Sequence, residues 1–138
     1  MNKTDISLFI VRIVLGLTFL VHGVEKFQMG LGNVAGFFES LGVPGMLAYI
    51  VGPIEMIGGI AMLLGLGTRV VGVLFAIIMV GAITIVKWDA GLLGNETSGG
   101  YELDLLLLAV SVQMAMTGSR MLSLDHFFTR EKQSTISS

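Results

Sequence analysis

Residues 46–86 read MLAYIVGPIEMIGGIAMLLGLGTRVVGVLFAIIMVGAITIV, with only Glu55 and Arg69 charged. A helix needs about 20 mostly apolar residues, rising 1.5 Å each, to cross a bilayer. The run therefore reads as two antiparallel membrane helices, 46–66 and 70–86, joined by a tight turn at Gly67-Thr68-Arg69. The pattern extends in both directions. Residues 6–24, ISLFIVRIVLGLTFLVHGV, give a first span, and residues 101–117, YELDLLLLAVSVQMAMT, a fourth. The expected fold class is all-α: a polytopic membrane protein with a four-transmembrane-helix bundle over residues 1–118. Residues 119–138 then form a C-terminal tail.

Composition supports lipid as the solvent. The 138 residues are 54% hydrophobic and 13% charged, where a soluble domain carries about 25% charged residues. The 19 glycines suit close-packed membrane helices. None of the four segments has a broad polar face, which argues against a soluble bundle. A cleaved signal peptide fits poorly, because Arg12 interrupts the first apolar segment and no small-x-small site follows. The net charge of −2 and the lack of a basic stripe exclude a nucleic-acid partner. Cysteine is absent, so disulfides and thiol chemistry are outside this chain. His22 and His126 are the sole imidazoles and fall on opposite sides of the membrane. No metal site, haem site or nucleotide loop is expected, and the nine methionines fit packing.

The linkers are unequal. Within residues 25–45, Asn33 is placed to cap a short helix through Leu41, ending at Gly42. Phe37, Phe38 and Leu41 would face the lipid surface or the bundle mouth. Residues 88–100 are a polar, glycine-rich loop. The end of the tail, KQSTISS, reads as disordered. Basic residues orient the bundle. Lys3, Arg12, Arg69, Arg120, Arg130 and Lys132 fall toward one side, Lys26 and Lys87 toward the other. The expected location is the cell membrane, with lipid as the surroundings and both termini cytoplasmic. Glu25, Glu39, Asp89, Glu96 and Glu102 gather on the far side.

Two charges stand inside spans. Arg12 lies about two turns into the first, and Glu55 near the middle of the second. An ionised side chain in hydrocarbon is costly, so each should face the bundle or a polar cavity. Counting from the span ends puts them at compatible depths, and a buried Arg12–Glu55 ion pair is the expectation. At about 100° per residue, Gly16, Phe19, Gly23 and Lys26 share the Arg12 face, with His22 on its border. Glu55 shares a face with Gly52 and Gly59. Gly16, Gly23, Gly52 and Gly59 are the expected helix-packing positions, and Pro53 is placed to bend the second span. At the outer mouth, Glu102 and Asp104 lie about 200° apart on their helix. One of them is expected to pair with Lys26 or Lys87 while the other meets water. Trp88, Tyr49 and Tyr101 suit the interface there.

Arg12-x-x-x-Gly16 followed by Phe19, His22-Gly23 and Lys26-Phe27 resembles the opening signature of the DoxX family. Pro53-x-Glu55-x-x-Gly58-Gly59, then Leu64-Gly65-Leu66 and Thr68-Arg69, is similar to its second-span signature. The resemblance covers residues 5–118. It implies a four-helix membrane protein of a group labelled oxidoreductases. Some relatives are similar to a quinone-linked thiosulfate oxidoreductase, and others are tied to thiol stress or aromatic catabolism. By the match, Arg12, His22, Gly23, Lys26 and Glu55 carry forward as site positions, and no cofactor ligand transfers with them.

Three functional readings remain open at this point. The first is a redox-associated component using quinone. There His22 or Lys26 donates to a quinone oxygen, Glu102 handles a proton, and a soluble or membrane partner carries electrons. The second is a non-catalytic scaffold or accessory subunit. The third is a small-solute transporter, which one four-helix chain would perform as a homo-oligomer. Sequence does not name the substrate.

Overall fold

The computed structural model describes residues 2–95 and 99–137. Every regular element in it is helical: α1 (Lys3–Met29), α2 (Leu31–Ser40), α3 (Met46–Leu64), α4 (Thr68–Gly81), α5 (Glu102–Thr117) and α6 (Leu124–Ser137). α4 does not stop at Gly81. It continues through a π-helical stretch, Ala82–Lys87, and a 3-10 turn, Trp88–Ala90. Glu96, on which an expectation about surface charge rested, lies outside the described residues.

The ends of the helices follow local chemistry. Asn2 Oδ1 accepts from the Asp5 N–H at 2.8 Å and caps α1. α1 therefore starts earlier and ends later than the expected 6–24. Gly30, at φ +91°, ends it and opens α2, a conformation glycine adopts without a Cβ penalty. Asn33 does not cap α2. Its side chain donates back to the Met29 carbonyl at 2.7 Å. Gly65, at φ +74°, closes α3. Residues 132–137 of the end expected to be disordered belong to α6, and Ser138 lies outside the described residues.

The packing is that of a membrane bundle. α1 and α3 touch through glycine. A Cβ on Gly16 would sit 2.9 Å from the Gly59 carbonyl, and one on Gly23 only 2.5 Å from the Met56 nitrogen. Gly52 instead receives Leu31 of α2, at 2.8 Å from its would-be Cβ. The four glycines thus sit at close helix contacts, as small residues do in membrane interfaces. Phe19 of α1 stacks on Phe75 of α4 with centroids 3.7 Å apart, and Leu15, Met62, Leu107 and Met114 complete the core.

The outside is as apolar as the inside. Val14, Ile57, Ile77 and Leu106 are each about 60% exposed, on four different helices. A soluble fold rarely leaves so much contiguous apolar surface to water, and lipid is its natural solvent. Three helical stretches are long and apolar enough to cross a membrane: Lys3–Met29, Met46–Leu64 and Thr68–Ala90. α5 has 16 residues, about 24 Å of helix against a hydrocarbon core of about 30 Å. Of the four spans expected, three are helices long and apolar enough to cross, and α5 falls short of that length.

Candidate functional site

The helices place charge at both ends of the bundle in different ways. At one end α1, α2, α3 and α4 enclose an open cavity of about 630 Å³. Its walls are mainly apolar, with Phe37 and Phe38 from α2, Leu41 just after it, and Ile54 and Ile78 from α3 and α4. The sequence left Phe37, Phe38 and Leu41 between lipid and mouth, and the fold turns them toward the cavity. His22, Glu25, Lys26, Asn33, Glu55, Lys87 and Asp104 supply its polar lining.

Four of these residues form two ion pairs. Lys26 Nζ donates to Glu55 Oε2 at 2.7 Å, and Glu55 is 2% exposed. Lys87 Nζ lies 3.1 Å from Asp104 Oδ2, an ion pair without the alignment of a hydrogen bond. Lys87 closes the π-helical stretch. The wider turn resets the phase of the chain beyond Gly81, and such turns are frequent at functional positions. His22 is partly buried on the rim of the same cavity.

The expected Arg12–Glu55 pair does not form, and helix register is the reason. Gly16 lies against Gly59 and Leu63, and Gly23 lies against Met56. The level of Glu55 on α3 therefore corresponds to the second half of α1, where Lys26 reaches it. Arg12 lies level with Gly65, where its Nη1 would stand 3.1 Å from an added Cβ. Ten residues separate Gly65 from Glu55 along the chain, about 15 Å of helix. Equating the two span ends in depth was the error, because α1 projects beyond the end of α3.

Arg12 is nonetheless buried, at 1% exposure. Its guanidinium donates to the carbonyls of Ser119 at 3.4 Å, Met121 at 2.8 Å and Leu122 at 3.1 Å. Phe9 lies under it, 5.2 Å from ring centroid to Cζ. The segment after α5 is therefore fastened across this end of the bundle. Asp125 adds a second tie. Its oxygens accept from the N–H groups of Gly67 at 2.8 Å and Thr68 at 3.2 Å, where α4 begins.

Of the three residues put forward for chemistry, His22 and Lys26 line the cavity. Glu102 does not. It is exposed at the start of α5, and Asp104 is the acid that turns inward. The expectation that one of this acidic pair meets a lysine while the other meets water describes what is seen, with Asp104 in the paired role.

Comparison with known proteins agrees with the architecture. The DoxX family model matches residues 7–88, which spans α1 to the end of the π-helical stretch. The chain is 45% identical over 134 residues to a Bacillus subtilis (strain 168) protein named "Putative oxidoreductase CatD", covering 96% of each. It is 36% identical over 129 residues to the "Uncharacterized membrane protein Rv3486" of Mycobacterium tuberculosis (strain ATCC 25618 / H37Rv), covering 86% of this chain and 79% of the relative. No solved structure matches.

Proposed function

The chain belongs to the DoxX family, and on that premise we propose that it is a redox-associated component of the cell membrane that takes a lipophilic quinone into the cavity between α1, α2, α3 and α4. The carrying observation is the cavity itself. It is apolar on most of its walls, and its polar lining includes two lysine–carboxylate pairs and one histidine, with Glu25 and Asn33 also on it. That is the usual composition of a site for an apolar ligand with a few oriented polar atoms. It also suits a flat ring with a carbonyl at either edge.

A quinone supplies two carbonyl oxygens that take up electrons and protons. The residues here have matching roles. His22 and Lys26 are donors on the α1 side, and Lys87 is a donor on the α4 side. Glu55 and Asp104 hold the two ammonium groups in place and offer carboxylates that return protons. Asp104 takes the proton-handling part first given to Glu102. The chain has no cysteine, so a thiol donor of electrons has to come from a soluble or membrane partner.

In the same reading α5 is the fourth span. Its outer face carries Leu103, Leu105, Leu106, Val112 and Met116, all exposed. A helix of this length is accommodated by local thinning of the bilayer. Arg12, Arg69 and Arg120 share the end opposite Lys26 and Lys87, which favours cytoplasmic termini by the distribution of basic residues.

The test is native purification in mild detergent with mass spectrometry of retained quinone, followed by titration with a short-tailed naphthoquinone. We expect saturable binding that weakens at least tenfold in Lys26→Met. Wild-type protein that neither retains quinone nor binds the probe would sink this reading and favour the scaffold.

A further inference from the structure

The end opposite the cavity holds a second cleft, of about 380 Å³, between the α3–α4 turn, the end of α5 and the start of α6. Its chemistry differs from that of the first. Arg69, Arg120 and His126 line it, together with the hydroxyl side chains of Thr68, Thr117 and Ser123. Among the described lining residues Asp125 is the lone carboxylate, and both its oxygens already accept backbone N–H groups. Ser119 also lines the cleft, and the buried Arg12 donates to its carbonyl from behind. Among the described residues, no carboxylate lies within salt-bridge distance of Arg12, Arg69 or Arg120. The cleft itself therefore carries two arginines against one carboxylate. One N–H of Arg69 is used by the Thr117 carbonyl at 3.3 Å, which orients the guanidinium and leaves its other donors for a ligand.

Two features decide what kind of anion fits. Guanidinium groups match the oxygens of phosphate in pairs. Exposed apolar side chains adjoin the lining residues along the chain, Met116 beside Thr117, Leu122 beside Ser123 and Phe127 beside His126, and Val70 lines the cleft itself. Leu122 is 72% exposed and Phe127 60%. Met116, Val70 and Phe128 are exposed as well. Val70 and Met116 belong to the exposed apolar surface of α4 and α5. A free phosphate compound would gain nothing from these side chains, whereas acyl chains would.

We propose that this cleft binds the phosphate of an anionic phospholipid headgroup, held by Arg69 and Arg120, with its acyl chains along Val70, Met116 and Leu122. Basic pockets at the membrane face of helical bundles are suited to such headgroups. The site is separate from the quinone cavity and stands or falls independently of it.

The test is native mass spectrometry of the detergent-purified protein titrated with dioctanoyl phosphatidylglycerol, dioctanoyl phosphatidylcholine or glycerol phosphate. We expect phosphatidylglycerol to bind about tenfold more tightly than phosphatidylcholine at low salt. Arg69→Gln/Arg120→Gln should abolish the preference, and Lys3→Gln should keep it. Equal binding of the two lipids, or a preference that survives the double variant, would overturn the proposal. So would an equal loss in Lys3→Gln, since general surface charge would then explain the result. Glycerol phosphate displacing phosphatidylglycerol at comparable concentration would assign the cleft to a soluble phosphate compound instead. A readout on wild type alone is available should the double variant misfold. The preference should shrink severalfold as salt rises from about 0.05 to 0.5 M, and a salt-independent preference would refute it.

Discussion

The two ends of this bundle solve the same problem by opposite means. Each buries charge at the edge of an apolar medium. At the cavity end, cation meets carboxylate: Lys26 with Glu55 and Lys87 with Asp104. At the other end, Arg12 is held by three backbone carbonyls of the segment after α5. The difference is one of permanence and use. A lysine–carboxylate pair can exchange a proton or release its ammonium to a ligand. A guanidinium does not deprotonate in a protein, and its fork of carbonyls is a structural tie. The paired end is therefore the one suited to the proposed chemistry, and the arginine end fastens the chain.

The largest expected effect comes from cutting the tie. Arg12→Ala leaves the carbonyls of Ser119, Met121 and Leu122 without their donor and opens a void against Phe9. The combined cost is about 3–5 kcal/mol. We expect little monodisperse protein in detergent, and a steep fall in thermal midpoint for what remains. Arg12→Lys should recover only part of this, because one ammonium does not reproduce the planar fork. A normal yield and midpoint for Arg12→Ala would break the contrast, since the carbonyl contacts would then hold nothing in place.

Next comes Lys26→Met, which leaves Glu55 buried without its cation. Removing one member of a buried pair costs about 3–5 kcal/mol. Lys26 is itself 24% exposed in its side chain, so about 2–3 kcal/mol is expected here. The double variant Lys26→Met/Glu55→Gln should regain most of the thermal stability while losing quinone binding. That split separates a site residue from a purely structural one. A double variant less stable than either single variant would show that the pair itself holds α1 to α3.

How far the sequence disclosed this arrangement depends on what each feature is made of. Gly16, Gly23 and Gly59 were legible as contact points, because smallness is written in the residue type and a helix face follows from spacing. That Arg12 and Glu55 are buried was legible too, since lipid leaves a charge few alternatives. Their partners were not. Pairing depends on the relative register of α1 and α3, and no residue in either helix records that α1 overhangs. Arg12 was beyond reach for a further reason. Its acceptors are backbone carbonyls, which have no identity in a sequence. Glu102 and Asp104 were equal candidates for pairing with a lysine, and the proton-handling part was given to Glu102; the phase of α5 against α4 is what turns Asp104 inward. The π-helical stretch before Lys87, which carries that lysine to Asp104, has no signature in AITIVK that distinguishes it from ordinary helix.

A smaller effect should follow at the other pair. Lys87 is 36% exposed in its side chain, and its contact with Asp104 lacks hydrogen-bond alignment. Solvent screening therefore limits Lys87→Met to about 1–2 kcal/mol. If both lysines serve one ligand, naphthoquinone binding should fall by a similar factor in Lys87→Met and Lys26→Met despite their unequal stabilities. Loss confined to Lys26→Met would place the ligand wholly on the α1 side of the cavity.

The smallest effect should come from Asp125→Ala, and it sharpens the distinction between tie and site. Asp125 satisfies two N–H groups at the start of α4, where the helix dipole favours a negative charge. Losing a cap of this kind costs about 1 kcal/mol, read as a few degrees in thermal midpoint. The same substitution removes the lone carboxylate among the described residues lining the polar cleft. The electrostatic consequence therefore runs the other way from the structural one. Binding of phosphatidylglycerol should strengthen as stability declines. A variant that lost both together would mean that the cleft depends on Asp125 for its shape, and that its charge balance matters less than the fastening of the chain around it.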